Sequence, residues 1–149
     1  MSIASPTSPS VAAWQRIGEL LELQRCRASA VARELDLSPP QLFALRHMDP
    51  DAPRPMGELA GALACDNSNV TGIIDRLERR GLVERRPSPD DRRVRILALT
   101  AEGERLRSVV AERLAAPPAA FDGLTAAEQQ QLTALLGRLL DGVRGCSAS

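Results

Sequence analysis

Between Met56 and Leu77 the chain writes one apolar spacing twice. Met56, Leu59, Ala60 and Leu63 stand at offsets 0, 3, 4 and 7, and Val70, Ile73, Ile74 and Leu77 repeat those offsets. The spacing puts each set on one face of an α-helix, so each segment predicts a short helix with a single buried stripe. Ala64, Cys65 and Asp66 lie between them, and Asp66 is a residue type that caps a helix N-terminus. Two short helices joined by so tight a turn must cross steeply, which is the helix-turn-helix arrangement. Gly81 follows the second segment, where a left-handed glycine commonly closes a helix.

The flanks extend this motif. Leu82 to Arg86 reads as a short strand, Pro87 to Asp91 as a turn and Val94 to Leu99 as the return strand, a β-hairpin beside the second helix. Upstream, Val11 to about Leu35 predicts a long helix, with Trp14, Ile17, Leu20, Leu21 and Leu23 at helical spacing. A second helix starts at Ser38, with Pro39 at its first position and Gln41 completing a capping box. Asp49 to Pro55 is a Pro/Asp-rich turn. Downstream, Thr100 caps a helix that Pro117 and Pro118 kink or end. Thr125 and Glu128 open a last helix, whose stripe is Leu132, Leu135, Leu136, Leu139, Leu140 and Val143. The fold class expected is mainly α with a small β-hairpin (α+β).

At 149 residues the chain fits one domain with a core, or one small domain plus an arm. Its formal net charge is zero, and every basic residue except His47 is arginine. From Arg76 to Arg95, eight arginines face Glu78, Glu84, Asp90 and Asp91, a local +4. Such a stripe is either one face for a polyanion or a solvated, self-paired surface. Cys26, Cys65 and Cys146 are odd in number and lack tight spacing, which argues against a disulfide framework and for a reducing, cytoplasmic setting. Residues 1–10 are Ser/Pro-rich and read as a flexible tail, not a signal peptide. No apolar run approaches the ~20 residues of a membrane span. One histidine, no tyrosine and no nucleophile motif argue against an enzyme. No metal or cofactor is implied, since His47 and the scattered cysteines lack ligand spacing.

The second helix of the motif opens with short polar residues. Asn67, Ser68, Asn69 and Thr71 occupy its first turns, where a helix entering the major groove meets base edges. Asn pairs with adenine, and Arg76, a turn further on, can reach guanine or phosphate. The plainer alternative is a capped surface helix. Asp90, Asp91, Arg92 and Arg93 sit at the hairpin tip, with Arg95 just beyond. Exposed arginine there can enter the narrow, electronegative minor groove. Asp91 is close enough to brace the Arg93 guanidinium. The alternative is a charged hairpin that only blocks edge aggregation.

Taken jointly, these residues resemble a known family. Gly57-Glu58-Leu59-Ala60, Asn69-Val70-Thr71, Asp75-Arg76-Leu77-Glu78, Gly81-Leu82-Val83 and Arg85 resemble the helix-turn-helix of the MarR (multiple-antibiotic-resistance regulator) family. Asp91-Arg92-Arg93, then Leu97, Leu99-Thr100 and Gly103, resemble its wing and exit into its fifth helix. The resemblance covers nearly all of the chain after Val11. It implies a winged helix-turn-helix repressor that binds a pseudo-palindromic operator in double-stranded DNA as a homodimer. Asn67, Ser68, Asn69, Thr71 and Arg76 would face the major groove, with Arg93 the wing arginine and Asp91 its brace. Two positions depart from the family pattern. Pro55 stands where Ser or Thr usually caps the third helix, and Gly72 where a basic residue is common.

The resemblance also assigns the outer helices. Residues 36–100 would form the DNA-binding domain, and 11–35 with 101–145 the dimerisation helices. Val11, Trp14, Ile17, Leu132, Leu135, Leu136, Leu139, Leu140 and Val143 make stripes too apolar to leave in water. They fit the family's dimer interface, or else an intramolecular bundle. Family members often bind small aromatic or anionic effectors between arm and DNA lobe. Trp14, Phe43, Arg46 and His47 are the candidates here, against a plain role in core or surface. Cys26 is expected to be a buried, inert cysteine, because the thiol sensors of this family surround theirs with tyrosines. Cys65 is expected in the core.

Overall fold

A computed structural model describes residues 8–63 and 67–146, without the side chains of 67, 68 and 146. The elements run in the order α1 (Pro9–Glu34), α2 (Pro39–His47), β1 (Arg54–Pro55), α3 (Met56–Leu63), α4 (Asn67–Arg79), β2 (Val83–Pro87), β3 (Arg95–Leu99), α5 (Ala101–Ala115), a 3₁₀ turn (Ala119–Gly123) and α6 (Ala126–Cys146). By contacts the chain divides into two units, Met1–Ala115 and Ala116–Ser149.

Helix ends follow the local chemistry. The first helix begins inside the expected tail of residues 1–10. Ser8 accepts the Val11 N–H at 3.3 Å and Pro9 takes the first helical position, so the helix starts before Val11. Ser38 and Gln41 form the expected capping box, with the Ser38 N–H donated to Gln41 Oε1 at 2.7 Å. Asp66, expected to cap α4, and Cys65, expected in the core, lie outside the described residues. Thr125 and Glu128 cap α6 reciprocally. Backbone and hydroxyl donors of Thr125 hold the Glu128 carboxyl below the usual carboxylate range. That cap is fully present above the ordinary glutamate pKa and is lost as pH falls through the lowered value.

The core of the first unit forms where α2, α3 and α4 meet the sheet. Leu42, Leu45, Val70, Ile74, Leu77 and Val83 are its large, fully buried side chains. Val110 of α5 and Val31 and Ala32 of α1 join the same cluster, so both helices pack onto the winged motif.

The sheet differs from the expected hairpin by one strand. Its order is β1-β3-β2, all antiparallel, with Val83 opposite Leu99 and Pro87 opposite Arg95. Arg54 and Pro55, expected to be part of a turn, pair with Leu97 and Ile96 and cover the far edge of β3. Each hairpin strand also starts one residue later than expected, at Val83 and Arg95. Leu82 is held in the turn that closes α4.

That turn is a joint. Gly81 adopts φ +69, and the Leu82 N–H reaches back to Leu77 O at 3.0 Å, a Schellman closure. The Thr100 N–H donates to Leu82 O at 3.1 Å, and its hydroxyl donates to Gly81 O at 2.6 Å while accepting the Gly103 N–H at 3.0 Å. A Cβ on Gly103 would lie 1.9 Å from Leu82 O. Glycine is required there by proximity, since helix propensity alone favours alanine by about 1 kcal/mol. Gly103→Ala is therefore expected to destabilise the fold, by about 1–3 kcal/mol as overpacking typically does. Urea unfolding measures it, and an unchanged or raised midpoint would show that α5 does not need so close an approach.

Candidate nucleic-acid interface

On α4, Val70, Ile74 and Leu77 are fully buried and Ile73 is half-buried. The opposite side presents Asn69, Thr71, Gly72, Arg76 and Arg79 to solvent. Asn67 and Ser68 sit at the helix start, where the helix dipole favours an anion. Their side chains lie outside the described ones. The Thr71 hydroxyl donates to Met56 Sδ at 3.4 Å, which ties α4 to the start of α3.

The basic stripe separates into two populations. Arg85 on β2 donates to Asp75 Oδ1 at 2.5 Å and also pairs with Glu78, so both carboxylates of α4 hold the root of the wing. Hydrogen bonding to Asp75, then the charges of Glu78 and Asp75, raise the Arg85 pKa still further into the alkaline range. Arg86 pairs with Glu84. Arg80 donates to the carbonyls of Asp36 and Leu35, and Arg79 to Asp75 O at 3.2 Å. Among the described residues Arg76, Arg92, Arg93 and Arg95 are exposed and make no ion pair. Asp75 lies one residue before the counted stripe. Its partnership with Arg85 depends on a strand folding back onto a helix.

The wing tip is ordered by its own backbone. Asp91 Oδ1 accepts the Arg93 N–H at 2.9 Å, so Asp91 braces the loop and not the Arg93 guanidinium. The Ser88 N–H donates to Val94 O at 2.8 Å and the Val94 N–H to Asp91 O at 2.9 Å. The arginine heads at 92 and 93 are left projecting from a fixed turn.

The sequence and fold of this winged motif have counterparts in known proteins. A model described as the MarR family matches residues 37–94. The chain is 32% identical over 118 residues to YhbI of Bacillus subtilis, an uncharacterized HTH-type transcriptional regulator, covering 78% of this chain and 77% of that protein. The chain belongs to the MarR family. It is a transcriptional regulator, as members of that family are, and not an enzyme. The transcriptional repressor MprA of Escherichia coli K12 is 39% identical over 84 residues, 56% of this chain and 48% of that protein, so the match spans about half of MprA. Wild-type apo MarR from E. coli has the same fold, with a TM-score of 0.75 at 26% identity over 85% of this chain and 94% of that one.

The candidate effector residues of this MarR-family chain do not converge on one place. Phe43 and Arg46 line a crevice of about 730 Å³ between α1, α2 and α5, with Leu21, Arg25 and Leu114. His47 lines a separate groove of about 310 Å³ with Pro39, Pro40, Ile73 and, again, Phe43. Trp14 is 65% exposed and lines neither. Arg25, which brings a second cation to the crevice, was not among the candidates. Its signal was present in its spacing from Leu21, four residues earlier on the same helix face. Cys26, expected to be buried, is exposed and free, because this stretch of α1 turns only Ala28, Val31 and Ala32 fully inward. No described helix is long and apolar enough to cross a membrane.

The pinning of the wing is open to a direct test. With side-chain exposures of 25% for Arg85 and 46% for Asp75, the pair is partly screened, and a coupling of roughly 1 kcal/mol is expected. A double-mutant cycle with Arg85→Ala and Asp75→Ala measures it by unfolding. Additive effects of the two substitutions would show that the wing root is not held by this pair.

Proposed function

We propose that this protein is a ligand-responsive cytoplasmic repressor that binds a pseudo-palindromic operator as a homodimer. One observation carries the reading: four uncommitted arginines, at 76, 92, 93 and 95, lie on α4 and the wing, while the other arginines of the stripe are engaged within the fold. Unpaired arginines occur elsewhere in the chain, as at Arg33 and Arg138, but here four gather on two adjacent elements beside the polar start of α4. In this reading Asn67, Ser68, Asn69, Thr71 and Arg76 address the major groove. Arg93 enters or rims the minor groove, Arg92 and Arg95 grip phosphates, and Asp91 keeps the tip in shape. Repression is supported by the likeness to MprA, a transcriptional repressor.

Homodimerisation is supported by apolar faces that each unit leaves bare. On α1, Val11, Trp14 and Leu20 are 48%, 65% and 57% exposed, and on α6 Leu135, Leu140 and Val143 are 52%, 51% and 55% exposed. Half-buried Ile17 and Leu132 extend the same stripes. Helices so apolar on an outward face need a partner. A dimer would space two α4 helices for half-sites about one DNA turn apart. For the effector, the crevice lined by Phe43, Leu21 and Leu114 with Arg25 and Arg46 suits a small aromatic anion: the apolar walls take the ring and the guanidinium groups its charge. It replaces the wider set that included Trp14 and His47.

A competition titration with wild-type-selected and scrambled duplexes at two salt concentrations tests the DNA contacts. Arg93→Ala should weaken both duplexes and lower the salt slope by roughly one per wing, one phosphate contact being lost. Asn69→Ala should instead relax base preference at one position, by about 1–3 kcal/mol per half-site. Equal binding of both duplexes by Arg93→Ala and wild type would remove the wing from the interface. Adding an aromatic carboxylate such as benzoate should release wild type from the duplex and spare Arg46→Gln; equal release of both would exclude the crevice.

Assembly is checked by sedimentation. Wild type is expected to run as a dimer at micromolar concentration, and Leu136→Glu with Leu139→Glu as monomer or unfolded chain. A monomeric wild type would end the homodimer reading.

A further inference from the structure

Gly72 has no reason within the fold to be a glycine. It lies in the interior of α4, where glycine is the least favourable residue after proline. A glycine is required in a helix only where φ must be positive or where another group comes close. Among the described glycines the one with positive φ is Gly81. A Cβ built on Gly72 meets nothing within 4 Å, as at Gly57 and Gly61 of α3 and in contrast to Gly103, where it would meet Leu82 O at 1.9 Å; its place on the polar face of α4 sets Gly72 apart.

The position of Gly72 on the helix gives its absent side chain a meaning. Gly72 is exposed, and helical spacing sets it on the outward face with Asn69 three residues before and Arg76 four residues after. Bare backbone thus forms the centre of the face assigned above to the major groove. With Cα atoms about 2.3 Å from the axis and a clothed helix about 5–6 Å in radius, a glycine makes a recess of roughly 3 Å.

The geometry points to Gly72 as the point of closest approach between α4 and DNA, a depth stop that lets both Asn69 and Arg76 reach base edges. The inference rests on the reading of α4 as the major-groove element. Its force comes from distances. Good hydrogen bonds occupy a window of roughly 0.5 Å, and a single added carbon projects about 1.5 Å. Asparagine is short, so a helix lifted by a fraction of that length loses the Asn69 contact first. The competing account is that position 72 is an empty place where a basic residue would only add phosphate grip. It predicts the opposite sign for a cationic substitution.

The experiment compares wild type, Gly72→Ala, Gly72→Leu and Gly72→Arg. The probes are the duplex that wild type selects from a random library and a scrambled duplex of equal length. Thermal unfolding is measured beside binding. Gly72→Ala should melt about 2–4 °C higher, since the helix gains and nothing clashes. Gly72→Ala should lose about tenfold in binding to the selected duplex, and Gly72→Leu about a hundredfold. Both should stay within about threefold of wild type on the scrambled duplex, where bases are not read. Gly72→Arg should also lose preference for the selected duplex despite its added charge. Three outcomes overturn the inference: wild-type affinity of the selected duplex for Gly72→Leu, tighter binding of both duplexes by Gly72→Arg with preference intact, or a lowered melting temperature for Gly72→Ala. These leave the proposed function standing. A wild type that selects no sequence defeats both.

Discussion

The structure turns on the joint at the end of α4. There a left-handed glycine, the carbonyl of Leu82, the hydroxyl of Thr100 and the bare Cα of Gly103 meet within hydrogen-bond or contact distance. Three elements leave from this one place: α4 behind it, the wing through Leu82 and Val83, and α5 after Thr100. They are coupled there because the polar groups of the joint satisfy one another. Arg80 extends the connection by donating to the carbonyls of Leu35 and Asp36 in the turn that ends α1. Asp36 there adopts φ 55, a conformation that Asp tolerates better than most residues. The end of α4 is thereby tied to both helices that wall the crevice with α2.

Arginine does two kinds of work in this chain, and the difference is set by what stands opposite. Arg85 faces two carboxylates of α4 and is spent on holding the wing. Arg80 and Arg27 donate to main-chain carbonyls, those of the α1–α2 turn and of Arg113. Arg113 itself pairs with Glu34 and draws α5 to α1. The planar guanidinium, with donors on several edges, can serve two acceptors at once where an ammonium would act as a point charge. Within the basic stripe, the arginines with no such acceptor are Arg76 on α4 and Arg92, Arg93 and Arg95 of the wing. Net charge zero is therefore compatible with a charged face.

Much of this was legible in the sequence because it follows from local rules. The paired stripes of α3 and α4, the Ser38 and Thr125 boxes, Gly81 and the hairpin are each specified within a few residues. What escaped is non-local. Arg54 and Pro55 carry no strand alternation and become a strand only because β3 offers them an edge. Asp75 looked like one more charge on a helix until Arg85 folded onto it. Asp91 is expected at the Arg93 guanidinium but accepts the Arg93 backbone N–H, the shorter path within the turn. Arg46 and His47 are sequence neighbours on a helix and so point apart, which sends them to different cavities. Cys26 was judged by residue type, and type says little about which side of a long, half-covered helix a residue occupies.

The pinned wing has a consequence for the shape of what is bound. Five residue pairs join β2 to β3, from Val83–Leu99 to Pro87–Arg95, and Arg85 fastens the middle of β2 to α4. The tip arginines and the face of α4 are then two jaws of a caliper with a fixed gap. When such a caliper spans neighbouring grooves of a duplex, it measures their separation. Overwound or underwound DNA changes that separation without altering a single base. In the proposed reading, a duplex with altered groove spacing would meet one jaw and miss the other, through a spacing set inside one protomer.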